Sequence, residues 1–108
     1  MAKALLMACI CLFSLASVSS ASATDGNTLH RWCEDKRSDF NAGLCSGYII
    51  SSAEAFLLLS TVCLPEGVTN GQAVDVTTKF LKENPARRHE LAHTLIRDAL
   101  RTPFPCRN

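Results

Sequence analysis

The chain has 108 residues, with 11 Lys and Arg against 10 Asp and Glu, a formal net charge of +1, 47% hydrophobic residues and six cysteines. A balance this close to neutral, with no cluster of basic side chains interleaved with aromatics, lacks the electrostatic footprint of a nucleic-acid binder, and the length holds one domain. The totals average two unlike segments, because residues 1–23 contain 17 hydrophobic residues and a single charge, Lys3.

Lys3 supplies a positive start, Leu5 to Leu15 a short apolar core, and Ala21-Ser22-Ala23 the small-x-small pattern that signal peptidase reads. Residues 1–23 are therefore expected to be an export signal cleaved before Thr24. Met7-Ala8-Cys9 resembles a lipoprotein box only weakly, since most of the apolar core follows Cys9. Residues 24–108 then form an 85-residue domain with ten basic and ten acidic side chains. No later apolar run approaches the roughly 18 residues needed to cross a bilayer, so no membrane association is expected after cleavage. Cys9 and Cys11 leave with the signal, and Cys33, Cys45, Cys63 and Cys106 remain. Four cysteines in an exported chain of this size read as two disulfides, which a domain too small for a generous core has reason to carry.

In chain order, Thr24 to Thr28 reads as a polar lead-in and Leu29 to Cys33 as a short helix that ends before Glu34-Asp35-Lys36-Arg37. Ser38 is a fitting N-cap for a long second helix, with Asp39 at the positive end of its dipole. Phe40, Leu44, Tyr48, Ala55, Phe56 and Leu59 mark one face of that helix, while Ile49, Ile50, Leu57 and Leu58 make it apolar on other sides too, which predicts the most buried helix of the set. Cys63-Leu64-Pro65-Glu66-Gly67 breaks it. Thr69 and Gln72 have capping-box spacing for a third helix, with Ala73, Val76 and Phe80 alongside Val74, Thr77 and Leu81 facing inward, ending near Glu83. Asn84-Pro85 predicts the start of a fourth helix whose Ala92, Leu95, Ile96, Ala99 and Leu100 form an apolar stripe, closed by Pro103 and Pro105. Phe40, Leu44, Tyr48, Phe56, Phe80, Leu95 and Ile96 are the expected core.

No window alternates long enough for a strand, so the expected class is all-α: a small, disulfide-stapled bundle of about four helices. Short connections make sequential helices antiparallel. That geometry brings the end of the first helix to the start of the second, and the end of the second to the segment after the fourth. Of three possible pairings it selects Cys33 with Cys45 and Cys63 with Cys106.

The sharpest chemical string is His89-Glu90-Leu91-Ala92-His93, which matches the H-E-x-x-H zinc motif. A zincin also needs a third ligand and a cleft, yet only 15 residues follow His93 and the one other histidine is His30. Surface histidines on an edge of the fourth helix are the preferred reading, with no metal and no cofactor expected. Disulfide pairing leaves no thiolate nucleophile, and neither G-x-S-x-G nor a phosphate-cradling glycine loop occurs. The chain is read as a non-enzyme. Residues 24–66 carry three basic and six acidic side chains and residues 67–108 seven basic and four acidic, a distribution that reads first as a mixed solvated surface and, functionally, as a basic edge that would steer an acidic protein partner.

The succession Leu29, Trp32-Cys33, Cys45-x-x-Tyr48, Cys63-Leu64-Pro65-Glu66-Gly67-Val68-Thr69 with Gln72, Phe80-Leu81, Asn84-Pro85, Ala99-Leu100 and Phe104-Pro105-Cys106 resembles the Rap/Tai family of type VI secretion immunity proteins. The resemblance covers nearly all of residues 24–108. It implies a small helical periplasmic protein, often a homodimer, that binds and occludes a cell-wall amidase effector. On that reading Lys82, Glu83, Asn84, Arg87 and Arg88 form a polar helix-to-helix corner suited to entering the enzyme's cleft. The alternative is a lone exported helical module with some other partner and no link to a toxin.

Overall fold

The computed structural model of the chain describes residues 22–107; residues 1–21, most of the expected export signal, lie outside the described residues. Four α-helices and one 3₁₀ turn make up the fold: α1 (Gly26–Glu34), α2 (Asp39–Leu58), α3 (Asn70–Glu83), the turn Pro85–Arg87, and α4 (Ala92–Arg101). No strand occurs among the described residues; an isolated antiparallel bridge joins Asp25 to Leu91. The all-α class predicted from sequence is the observed one.

Local chemistry fixes most helix starts. The Asp25 carboxylate accepts from the Thr28 N–H at 2.8 Å, so α1 begins three residues before the predicted Leu29, and the supposed lead-in contains its cap. Ser38 caps α2 as expected, accepting from Asn41 N–H at 3.1 Å. Thr69 and Gln72 form the reciprocal capping box of α3, at 3.1 and 2.8 Å.

Two boundaries differ from expectation. Helix α2 stops at Leu58 rather than running to Cys63. Ser60 takes a left-handed conformation (φ 56°), Ser60 N–H donates to Leu57 O and Thr61 N–H to Phe56 O, which is a Schellman closure built without the usual glycine. Helix α4 starts at Ala92, not at Asn84-Pro85. In a continuous helix Ala92 N–H would donate to Arg88 O. Here Arg88 O accepts from Asn27 N–H at 2.7 Å and Ala92 N–H donates to Thr24 O at 2.8 Å, so the start of α1 takes the bonds a longer α4 would need. Asn84 ends α3 instead, donating from its side chain to Phe80 O at 2.8 Å.

Helix α1 packs on α2, α3 packs on α4, and α2 touches both α3 and α4. The buried cluster draws on every helix: Leu29 and Cys33 from α1, Cys45, Ile49 and Ala53 from α2, Ala73 and Leu81 from α3, Ala92, Leu95, Ile96 and Leu100 from α4, with Val62 from the connection. Of the expected core, Leu95 and Ile96 are buried, Tyr48, Phe56 and Phe80 are half-buried against it, and Leu44 is half-buried. Phe40 is 74% exposed and Leu59 71%. Helix α2 is therefore not buried all round: its inward face is Cys45, Ile49 and Ala53, about one residue out of phase with the predicted one. Both disulfides pair as expected, Cys33–Cys45 and Cys63–Cys106, each with Cα atoms 5.0 Å apart.

Candidate functional site

The corner between α3 and α4 contains the five residues singled out in the sequence, and the structure divides them into two kinds. Lys82 and Glu83 are exposed at the end of α3, and Lys79 lies 3.8 Å from Glu83 on the same face. Asn84, Arg87 and Arg88 are half-buried and occupied within the chain. Arg88 donates from Nε to Leu81 O at 2.6 Å and from Nη2 to Lys82 O at 3.1 Å, which satisfies carbonyls that the helix end leaves without partners. Its guanidinium pairs with no carboxylate among the described residues.

Arg87 is the hub beneath the corner. Its Nε and Nη2 reach the two carboxylate oxygens of Glu90 at 2.6 and 3.1 Å, and Nη2 also reaches Asp98 at 2.7 Å. The guanidinium carbon lies 5.5 Å from the centre of the Phe80 ring, within cation–π range. Arg97 donates to the other Asp98 oxygen at 3.1 and 3.0 Å. Hydrogen bonds from Arg87 hold the Glu90 carboxyl below its usual range. Burial alone would raise that of Asp98, but the bonds from Arg87 and Arg97 outweigh it and the net direction is down. The reciprocal bonds raise the already high value of Arg87. The set is a standing ion cluster of paired opposite charges, which suits a rigid support.

The corner is also tied to α1. Gly26 N–H donates to Glu90 O at 2.9 Å, beside the bond from Asn27 to Arg88 O. A Cβ on Gly26 would collide with the Leu95 side chain and come within 2.8 Å of Arg88 O, so only glycine allows this approach.

The H-E-x-x-H string does not lie on a helix. His89 and Glu90 sit in the turn and only Ala92 and His93 are helical, so the two imidazoles do not share a helical face as the motif requires. The predicted fourth-helix edge is thus corrected, because the backbone bonds to α1 unwind it before Ala92. Glu90 is engaged by Arg87, and no group of three His, Cys, Asp or Glu that could hold a metal occurs among the described residues.

A second surface went unread in the sequence. Between α1 and α2 lies an open, mostly apolar concavity of about 470 Å³, lined by Trp32, Gly43, Leu44, Gly47, Tyr48 and Ser51 among others. Trp32 meets Tyr48 edge to face with centroids 6.3 Å apart. Phe40 and Leu58, at opposite ends of α2, are 74% and 87% exposed. The even apolarity of α2 hid this face, since nothing local marks which side is covered.

Among known proteins, a family model described as Rap1a immunity proteins matches residues 25–106. No curated protein and no solved structure gives a match.

Proposed function

The chain belongs to the family of Rap1a immunity proteins, and on that premise we propose that it binds a peptidoglycan amidase delivered by type VI secretion and occludes that enzyme's active-site cleft in the periplasm. An immunity protein protects by stoichiometric binding of a protein effector, so a surface and not a reaction centre carries the activity. The observation that carries this reading is the extent of the family match. Residues 25–106 run from the N-cap of α1 to the last cysteine of the second disulfide, the whole helical domain.

Three features support the finer parts. The export signal expected at residues 1–23 and the two disulfides suit an oxidising compartment outside the cytoplasm. The α3–α4 corner is a rigid projection, clamped by Arg87 and by the backbone bonds to α1. Lys82 and Arg88 bring positive charge without a paired carboxylate among the described residues, suited to an acidic rim on the partner. The corner is the proposed contact, with Lys82 and Glu83 touching the effector and Asn84, Arg87 and Arg88 holding them in place. The protein acts as a homodimer on this reading.

The test uses the purified exported protein and the amidase encoded nearest to it, with peptidoglycan hydrolysis as the readout. Equimolar protein abolishes hydrolysis, and Lys82→Glu slows complex formation while removing part of its salt dependence. Undiminished hydrolysis at excess protein, together with no retained amidase in a pull-down, would sink the proposal.

A further inference from the structure

We propose that Cys63–Cys106 is an exchangeable disulfide: a dithiol of the C-x-x-C kind opens it in the folded protein by attack on Cys63 Sγ, while Cys33–Cys45 stays shut. The device sets how firmly the fold is tied, and it is independent of which effector the protein captures.

The two links sit in unlike surroundings. Cys33 and Cys45 are 7% and 4% exposed and lie within α1 and α2, in the same buried cluster as Leu29 and Ile49. Cys63 and Cys106 are both exposed and lie in irregular chain, one in the connection 59–69 and the other in the segment after α4. No backbone hydrogen bond among the described residues joins these two segments. A thiolate has to touch the sulfur it attacks, so exchange is fast at a reachable link and waits on local opening at a covered one. Reaching Cys33 or Cys45 requires part of α1 or α2 to unravel, whereas the Cys63–Cys106 link is already open to solvent. The order is one of rates: the longer loop makes Cys63–Cys106 the more stabilising link at equilibrium, yet the reachable one opens first.

Charge selects the sulfur. Exchange is faster when the departing thiol has the lower pKa. Cys106 is followed at once by Arg107, while the charged residue nearest in sequence to Cys63 is Glu66. A neighbouring cation stabilises a thiolate and a carboxylate does not, so Cys106 leaves and Cys63 is attacked. The first thiolate forms a bond to Cys63 Sγ, the bond between the two protein sulfurs breaks, and its electron pair departs on Cys106, which takes up a proton. The dithiol's second thiolate then attacks the first sulfur, and Cys63 leaves as a thiolate and is protonated in turn. Two electrons have passed from the dithiol, now a disulfide, to the protein, now with two thiols. The fold outlasts the step, because Val62 is buried and Leu64 and Phe104 pack on the core through their own side chains.

Dithiothreitol added to the exported, oxidised protein without denaturant, with N-ethylmaleimide quenches over time and peptide mass mapping, reads the order. Cys63 and Cys106 are labelled together, roughly tenfold or more ahead of Cys33 and Cys45. At that stage the helical circular dichroism persists, with a lowered melting temperature that reoxidation restores. With glutathione in place of dithiothreitol and a rapid acid quench, the trapped mixed disulfide sits on Cys63, and Arg107→Glu slows its formation. Labelling of all four cysteines in step, or of Cys33 and Cys45 first, overturns the proposal, as does loss of the helical signal in step with labelling. A mixed disulfide on Cys106 overturns the direction of attack. None of these results bears on amidase capture, which the hydrolysis assay reads separately.

Discussion

At the residue scale the energetics concentrate on Arg87 and His30. Arg87 touches Glu90, Asp98 and the Phe80 ring, with its side chain 37% exposed and that of Asp98 28%. Hydrogen bonds between charged groups are each worth about 1.5–3 kcal/mol when well shielded. Solvent screening at this exposure weakens each of these bonds, so Arg87→Ala is expected to lower the melting temperature while leaving the helical circular dichroism intact, and an unchanged melt would show that the cluster contributes no stability. His30 behaves differently. Its Nδ1 is out of water with no hydrogen-bond partner. Burial first, then the positive charges of Arg88 and Lys82, push its pKa down, and Glu34 offsets this only in part. The folded state thus favours neutral His30, while the unfolded chain takes up a proton near 6.5. Its contribution is complete above that pH and is lost as pH falls through 6.5 toward the lower folded value. Denaturant midpoints are expected to drop between about pH 7.5 and 5.5, and His30→Gln to flatten the drop; an unchanged drop in the variant would contradict this account. Glu90 and Asp98, held down in the folded state, add a further loss only as pH falls below 4.5 and 3.8.

At the scale of elements, what could be read depended on whether the deciding contact was local. The capping box of α3 spans four residues, and both its start and its end at Glu83 were legible. The stripe Ala92, Leu95, Ile96, Ala99 and Leu100 was legible because α4 is polar on its other side, and all five residues are buried. The start of α4 was not, because Thr24, Gly26 and Asn27 decide it from more than sixty residues away in sequence. Helix α2 shows the limit of periodicity. Where every side is apolar, the pattern has no phase, and Phe40 was assigned inward although it points to water. One signal for the phase was present: Cys45 has to face Cys33, and Ile49 and Ala53 follow it at steps of four. That these five residues fall between α3 and α4 was legible, but the bonds that half-buried Arg87 makes within the chain were not, since Asp98 lies eleven residues beyond it.

For the whole molecule, the two disulfides divide the labour unequally. Cys33–Cys45 spans a separation of 12 residues and locks the α1–α2 turn, while Cys63–Cys106 spans 43. On the chain-entropy account, removing the longer link with Cys63→Ala and Cys106→Ala costs about 1 kcal/mol more than removing the shorter one with Cys33→Ala and Cys45→Ala, each within the ~2–5 kcal/mol seen for small exported domains. Urea unfolding of the two double variants measures the difference, and equal costs would show that native packing outweighs the entropy of the open loop. The longer link has another consequence. It encloses α3, the corner and α4 in a single covalent ring, and the corner is the part proposed to be pressed against a hostile hydrolase. A protease that nicks the ring once opens it without freeing a fragment, so the severed ends stay beside each other and the protector survives a cut that would divide a linear chain in two.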